Sequence, residues 1–121
     1  MFNEIVLRWS RFDKMSVPCT FVDFPCVYVQ ADRERNVLRV GSASKGLRKR
    51  YWGDGYTFDA AMHGSGNLIF VAPLGLPELC EEVEAILIYQ EKPTYNNEGK
   101  EQPPRRSMAL RHEGDAPKFK V

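Results

Sequence analysis

Apolar and polar positions fall into a few short patterned segments along this chain. Residues 1–12 alternate in a way that fits either a short helix or an edge strand. Residues 13–25 contain Pro18 and Pro25 and read as an irregular lead-in. Cys26-Val27-Tyr28-Val29-Gln30 is β-branched and aromatic and predicts a strand, and Val37-Leu38-Arg39-Val40-Gly41 predicts a second. The polar link from Asp32 to Asn36 is short enough for a hairpin. Ser42 or Ser44 can cap a helix through Leu47 to about Trp52, which Gly53-Asp54-Gly55 ends. Thr57 offers one further helical turn to Met62. His63-Gly64-Ser65-Gly66 is then a turn before a third strand over Asn67–Ala72.

The longest helix has the plainest signature. Pro77 suits a first-turn position, with Glu78, Glu81 and Glu82 near the positive end of the dipole. Leu76, Leu79, Cys80, Val83, Ile86, Leu87 and Gln90 follow helical spacing, and Lys92 closes the segment before Pro93. The remainder, rich in Pro, Gly and charge, predicts an extended tail. The order β-β-α-(α)-β-α makes this an α+β domain with a small sheet. Its parts are a lead-in over 1–25, the patterned domain over 26–96, and a basic, Pro-rich tail over 97–121.

At 121 residues, 43% apolar and 27% charged, the composition is that of one globular domain. No run of 18 apolar residues exists to span a membrane. Glu4, Arg8 and Arg11 interrupt the start, so no secretory signal is expected. Cys19, Cys26 and Cys80 cannot all pair and form no C-x-x-C, and the two histidines lie far apart. A disulfide scaffold and a structural zinc site are therefore not expected, and a reducing cytoplasm is the expected location. The net charge of +1 conceals an uneven distribution. Residues 32–50 carry seven bases against two acids, residues 51–91 seven acids and no base, and residues 92–121 seven bases against four acids. Such segregation suits either a polyanion partner or charge pairing between segments.

Some polar residues fall on inward rows. On the long helix, at about 100° per residue, Glu84 lies at the edge of the apolar stripe centred on Val83. A half-buried carboxylate there requires a cation, a proton donor or a metal, and a salt bridge to an arginine is the plain alternative to a functional role. Arg50 shares the row of Leu47 and asks for an anion, whereas Lys45, Arg48 and Lys49 make a solvated basic face. A four-residue connection would set Tyr28 opposite Arg39, and a link one residue longer would separate them onto two faces.

The ordered set Cys26-Val27-Tyr28, Arg39-Val40-Gly41-Ser42, Leu47-Arg48-Lys49-Arg50 and Glu84-Ala85-Ile86-Leu87-Ile88, followed by Pro93-Thr94-Tyr95-Asn96, resembles the GIY-YIG nuclease superfamily over about residues 24 to 100. The resemblance implies a small three-stranded mixed or antiparallel sheet flanked by helices. It also implies metal-dependent endonuclease cleavage of DNA phosphodiester bonds with a single Mg2+ or Mn2+. Carried over by position, Glu84 would be the metal ligand, Arg50 would neutralise the scissile phosphate, and Tyr28 would receive the proton from water. Asn96 would hold the site or contact DNA, and Gly41 would let the strand end pass close to the substrate. Lys45, Arg48 and Lys49 would meet phosphates. Two departures stand out. Cys26 occupies a usual glycine position, and Arg39 replaces a tyrosine of the family's active site, where it would act as a phosphate clamp. A residue expected about one turn after Arg50 finds only Asp54, with Tyr51, Tyr56 and His63 as the weakly aligned substitutes and Tyr56 the first of them. Arg39 therefore also motivates an alternative: a catalytically impaired module of the same fold that binds nucleic acid or a partner protein. Specificity is expected from self-association as a homodimer, from the tail, or from a partner protein.

Overall fold

The computed structural model describes residues 4–13, 24–45, 68–96, 99–105 and 108–120. These residues form strands β1 (Glu4–Asp13), β2 (Cys26–Ala31), β3 (Val37–Ala43), β4 (Leu68–Pro73) and β5 (Ala109–Gly114), with helix α1 (Pro77–Glu91). The strands make one sheet in the order β3-β2-β4-β1-β5. All neighbours are antiparallel except β1 and β5, which run parallel. The fold is α+β with a mixed sheet, but of five strands where three are expected. The two additional strands come from the expected lead-in and tail. Residues 4–13 are neither helix nor edge but an inner strand, because β5 covers their open side.

β2 is buried along its whole length, as its nearly unbroken apolar run requires. Val27, Val29 and Ala31 face α1 in a cluster with Leu7, Val40, Phe70, Ala72, Cys80, Val83 and Leu87. Cys26 and Tyr28 face the other way, with Ala43, Ile69 and Val71. Trp9 is a core residue on the α1 side. At the hairpin turn the Asp32 carboxylate accepts the backbone N–H groups of Glu34 and Asn36, each at 2.9 Å. Arg35 takes the left-handed conformation there, with φ 72°. A bulge between Gln30 and Ala31 shifts the pairing register. β3 continues to Ala43, so Ser42 is a strand residue and not a helix cap. The expected helices beyond Lys45 lie outside the described residues.

α1 spans the predicted residues. Pro77 and Glu78 lie in its first turn, and Lys92 caps its end in the left-handed region, its N–H donating to the Ile88 carbonyl at 2.8 Å. Among the described residues no helix is long and apolar enough to cross a membrane.

The last segment is a strap rather than a free tail. After β5, the Asp115 N–H donates to Trp9 O, and Arg35 pairs with the Asp115 carboxylate at 2.6 Å and with Ala116 O at 3.1 Å. The Lys118 N–H donates to Arg35 O at 2.8 Å. The Lys120 N–H lies 2.9 and 3.0 Å from the two carboxylate oxygens of Glu91, a side chain only 1% exposed. Ala116 and Phe119 pack on the main core.

Candidate functional site at the rim of strand β3

β3 is an edge strand, and residues from β2, α1 and the segment after α1 gather along it. Tyr28 on β2 pairs in register with Gly41, and Gln30 pairs with Arg39. Tyr28 and Arg39 therefore share the face away from α1, displaced by two residues along the strands. The register places Tyr28 opposite Gly41 and not opposite Arg39. A methyl group built on Gly41 would lie no farther than 2.9 Å from Cζ, Oη and Cε1 of Tyr28. The ring thus crosses β3 at the one position that has no side chain. The room at Gly41, expected to admit substrate, is taken by Tyr28, which is 0% exposed.

The next residue, Ser42, points to the opposite face, because its register partner Val27 packs against α1. Its hydroxyl donates to Glu84 Oε1 at 2.7 Å. Glu84 is half-buried, as the helical wheel predicts, and the serine hydroxyl is the proton donor it meets. The phenol of Tyr28 and the carboxylate of Glu84 thus approach consecutive residues of one edge strand from its two faces.

Asn96 completes the rim. Its side-chain amide donates to Val40 O and accepts from Val40 N, both at 2.9 Å, in a buried setting. The Tyr95 N–H donates to Leu38 O at 3.0 Å. The segment after α1 therefore supplies the partners that an edge strand lacks. Lys45 is exposed just past the end of β3. Arg48, Lys49, Arg50, Tyr51, Tyr56 and His63 lie outside the described residues.

Among the described residues no group of three or more His, Cys, Asp or Glu side chains could enclose a metal ion. Glu84 with the Ser42 hydroxyl offers hard oxygen donors. That set fits Mg2+ or Mn2+ bound through one carboxylate, with phosphate and water as the remaining ligands. Cys80 is a thiol and not a thiolate at neutral pH: burial, together with the charges of Glu81 and Glu84, pushes it up to about 11.

Two inward polar residues are missed by pattern reading. Ser42 becomes visible only once the hairpin register is known. Glu91 lies four residues after Leu87 and eight after Val83, on the buried stripe, and that spacing marks it as a second inward carboxylate.

Comparison with protein-family models, with curated proteins and with solved structures gives no match.

Proposed function

We propose that this chain is a metal-dependent endonuclease that cleaves DNA phosphodiester bonds through a single divalent ion at Glu84. What supports the proposal is the half-buried Glu84, whose Oε1 accepts the Ser42 hydroxyl at 2.7 Å beside edge strand β3, a pair of hard oxygen donors; Tyr28 stands on the opposite face of the sheet. In this reading Arg50 neutralises the scissile phosphate with its guanidinium fork, and Tyr28, ionised to the phenolate, takes the proton of the attacking water at the strand edge that its ring crosses at Gly41. When bound, the ion supplies Lewis-acid stabilisation of the phosphoryl and leaving oxygens. A phenol ordinarily ionises only near pH 10, so the phenolate has to form inside the substrate complex. Tyr28 is fully buried in the free protein. The reading thus requires its hydroxyl to meet the water inside the substrate complex.

Nicking of supercoiled plasmid with Mg2+ or Mn2+, run beside Glu84→Ala, tests the proposal. Metal-dependent nicking that disappears in the variant is the expected result; no nicking by the wild type at any metal concentration overturns it. Arg50→Ala should slow cleavage far more than it weakens binding.

A second reading, an impaired module that binds DNA without cutting it, is favoured by Arg39 on the face of Tyr28. Arg39→Tyr separates the two. A gain of nicking means the natural chain is impaired, and a loss means Arg39 has a role of its own in cleavage.

A further inference from the structure

The C-terminal end of α1 carries an aromatic and basic surface that the site at β3 does not use. Tyr89 is 37% exposed and Tyr95 is 42% exposed, whereas most large apolar side chains of the described residues are buried. The Lys92 ammonium lies over the Tyr89 ring, 4.4 Å from its centroid. That ammonium also donates to the carbonyls of Tyr89, at 3.1 Å, and of Lys100. Lys100 in turn reaches the Thr94 carbonyl, next to Tyr95, at 3.5 Å. Gly99 is what lets this segment lie against α1. Its φ is 88°, and a Cβ there would come within 3.1 Å of the Ile88 side chain. One connected chain of contacts therefore runs from Tyr89 through Lys92 and Lys100 to Thr94, the residue before Tyr95.

The charge of this surface is positive but modest. Glu91, adjacent in sequence, is turned inward and engaged by Lys120, while Glu101 follows Lys100 on the exposed side. Two lysines against one exposed acid give weak attraction to phosphate, so stacking on the ring faces has to supply most of any affinity. Bases offer such faces only when unpaired. A duplex keeps them stacked internally, and an acidic peptide would use the lysines but not the rings. From Glu84 to Lys92 the helix advances about 12 Å, so one short stretch of polynucleotide could touch both places.

We infer that Tyr89 and Tyr95, with Lys92 and Lys100, bind single-stranded nucleic acid by stacking bases on the two phenol rings. The inference rests on the reading of this chain as a nuclease and assigns its substrate an unpaired segment next to the cut.

Fluorescence anisotropy of a labelled oligothymidylate, with the full chain in EDTA, tests it without any cutting. Tyr89→Ala and Tyr95→Ala should each weaken binding roughly tenfold, in keeping with one lost stacking contact. Tyr89→Phe and Tyr95→Phe should bind within about twofold of wild type, since the ring remains. Both residues are exposed, so unchanged circular dichroism is expected for all four variants. The salt dependence should be shallow, with a log–log slope of about −1.4 for two lysine–phosphate contacts. Wild-type affinity in the double alanine variant overturns the inference. So does equal competition by polyglutamate, which would identify a site for acidic polymers. Loss of binding in the alanine variants of a chain that never nicks plasmid would sink the nuclease reading and leave this surface standing. Nicking with unaltered oligonucleotide binding would do the reverse.

Discussion

The absent side chain at Gly41 decides where the Tyr28 ring can lie. Gly41→Ala would force the ring aside or push β3 outward, and overpacking of this kind costs about 1–3 kcal/mol. Urea unfolding should show a lower midpoint for that variant. A double-mutant cycle with Tyr28→Ala should recover part of the loss, because the obstructing ring is gone. The wheel position of Glu84 was legible without coordinates, since a carboxylate flanked by Cys80, Leu87 and Ile88 must find a partner. Its partner was not legible, because Ser42 faces α1 only through a hairpin register that the turn sequence left open. The same register resolves Tyr28 and Arg39 onto one face, two residues apart, an arrangement that neither considered loop length produces.

At the level of elements, the edge of β3 is closed by a side chain rather than by another strand. The Asn96 amide reproduces both hydrogen bonds that a neighbouring backbone would make to Val40. Asn96→Ala would leave the Val40 N–H and C=O without these partners in a buried place, at a cost of about 2 kcal/mol. Hydrogen exchange should detect it as faster loss of protection at the Val40 amide, with α1 amides little changed. β2, β3, β4 and α1 were legible because each carries a local signal of its own: β-branched and aromatic runs in the strands and helical spacing in α1. β5 was not: Ala109-Leu110-Arg111-His112-Glu113-Gly114 is polar, half-exposed and next to Pro-rich sequence. Its strand character comes from pairing with β1, a partner in another part of the chain, and local pattern holds no trace of that.

For the molecule as a whole, the C-terminal strap joins β5, the β2–β3 turn and the end of α1. Its aromatic anchor is His112, whose ring stacks on Phe119 at 4.2 Å between centroids. His112 Nδ1 accepts the Trp9 indole N–H at 2.9 Å, which requires an unprotonated nitrogen there. Burial holds the His112 imidazole below its ordinary value of 6.5, against a smaller upward pull from Glu91. The folded state thus binds protons less readily than the unfolded chain. The stabilisation is fully present above pH 6.5 and is lost as pH falls from there through the lower folded value. Urea midpoints measured from pH 8 to pH 5 should decline on the acid side, and His112→Gln should flatten that part of the decline. An undiminished slope in the variant would assign the acid sensitivity to another group.

The parallel pairing of β1 with β5 also fixes an order of events during synthesis. Glu4 to Trp9 emerge from the ribosome 105 residues ahead of their partners Ala109 to Gly114. Until then one side of β1 offers unmatched backbone donors and acceptors to any neighbouring chain. A nascent polypeptide stalled before Ala109 should accordingly be more prone to aggregate than one that has passed Gly114, and the window for chaperone engagement would stay open until β5 has emerged.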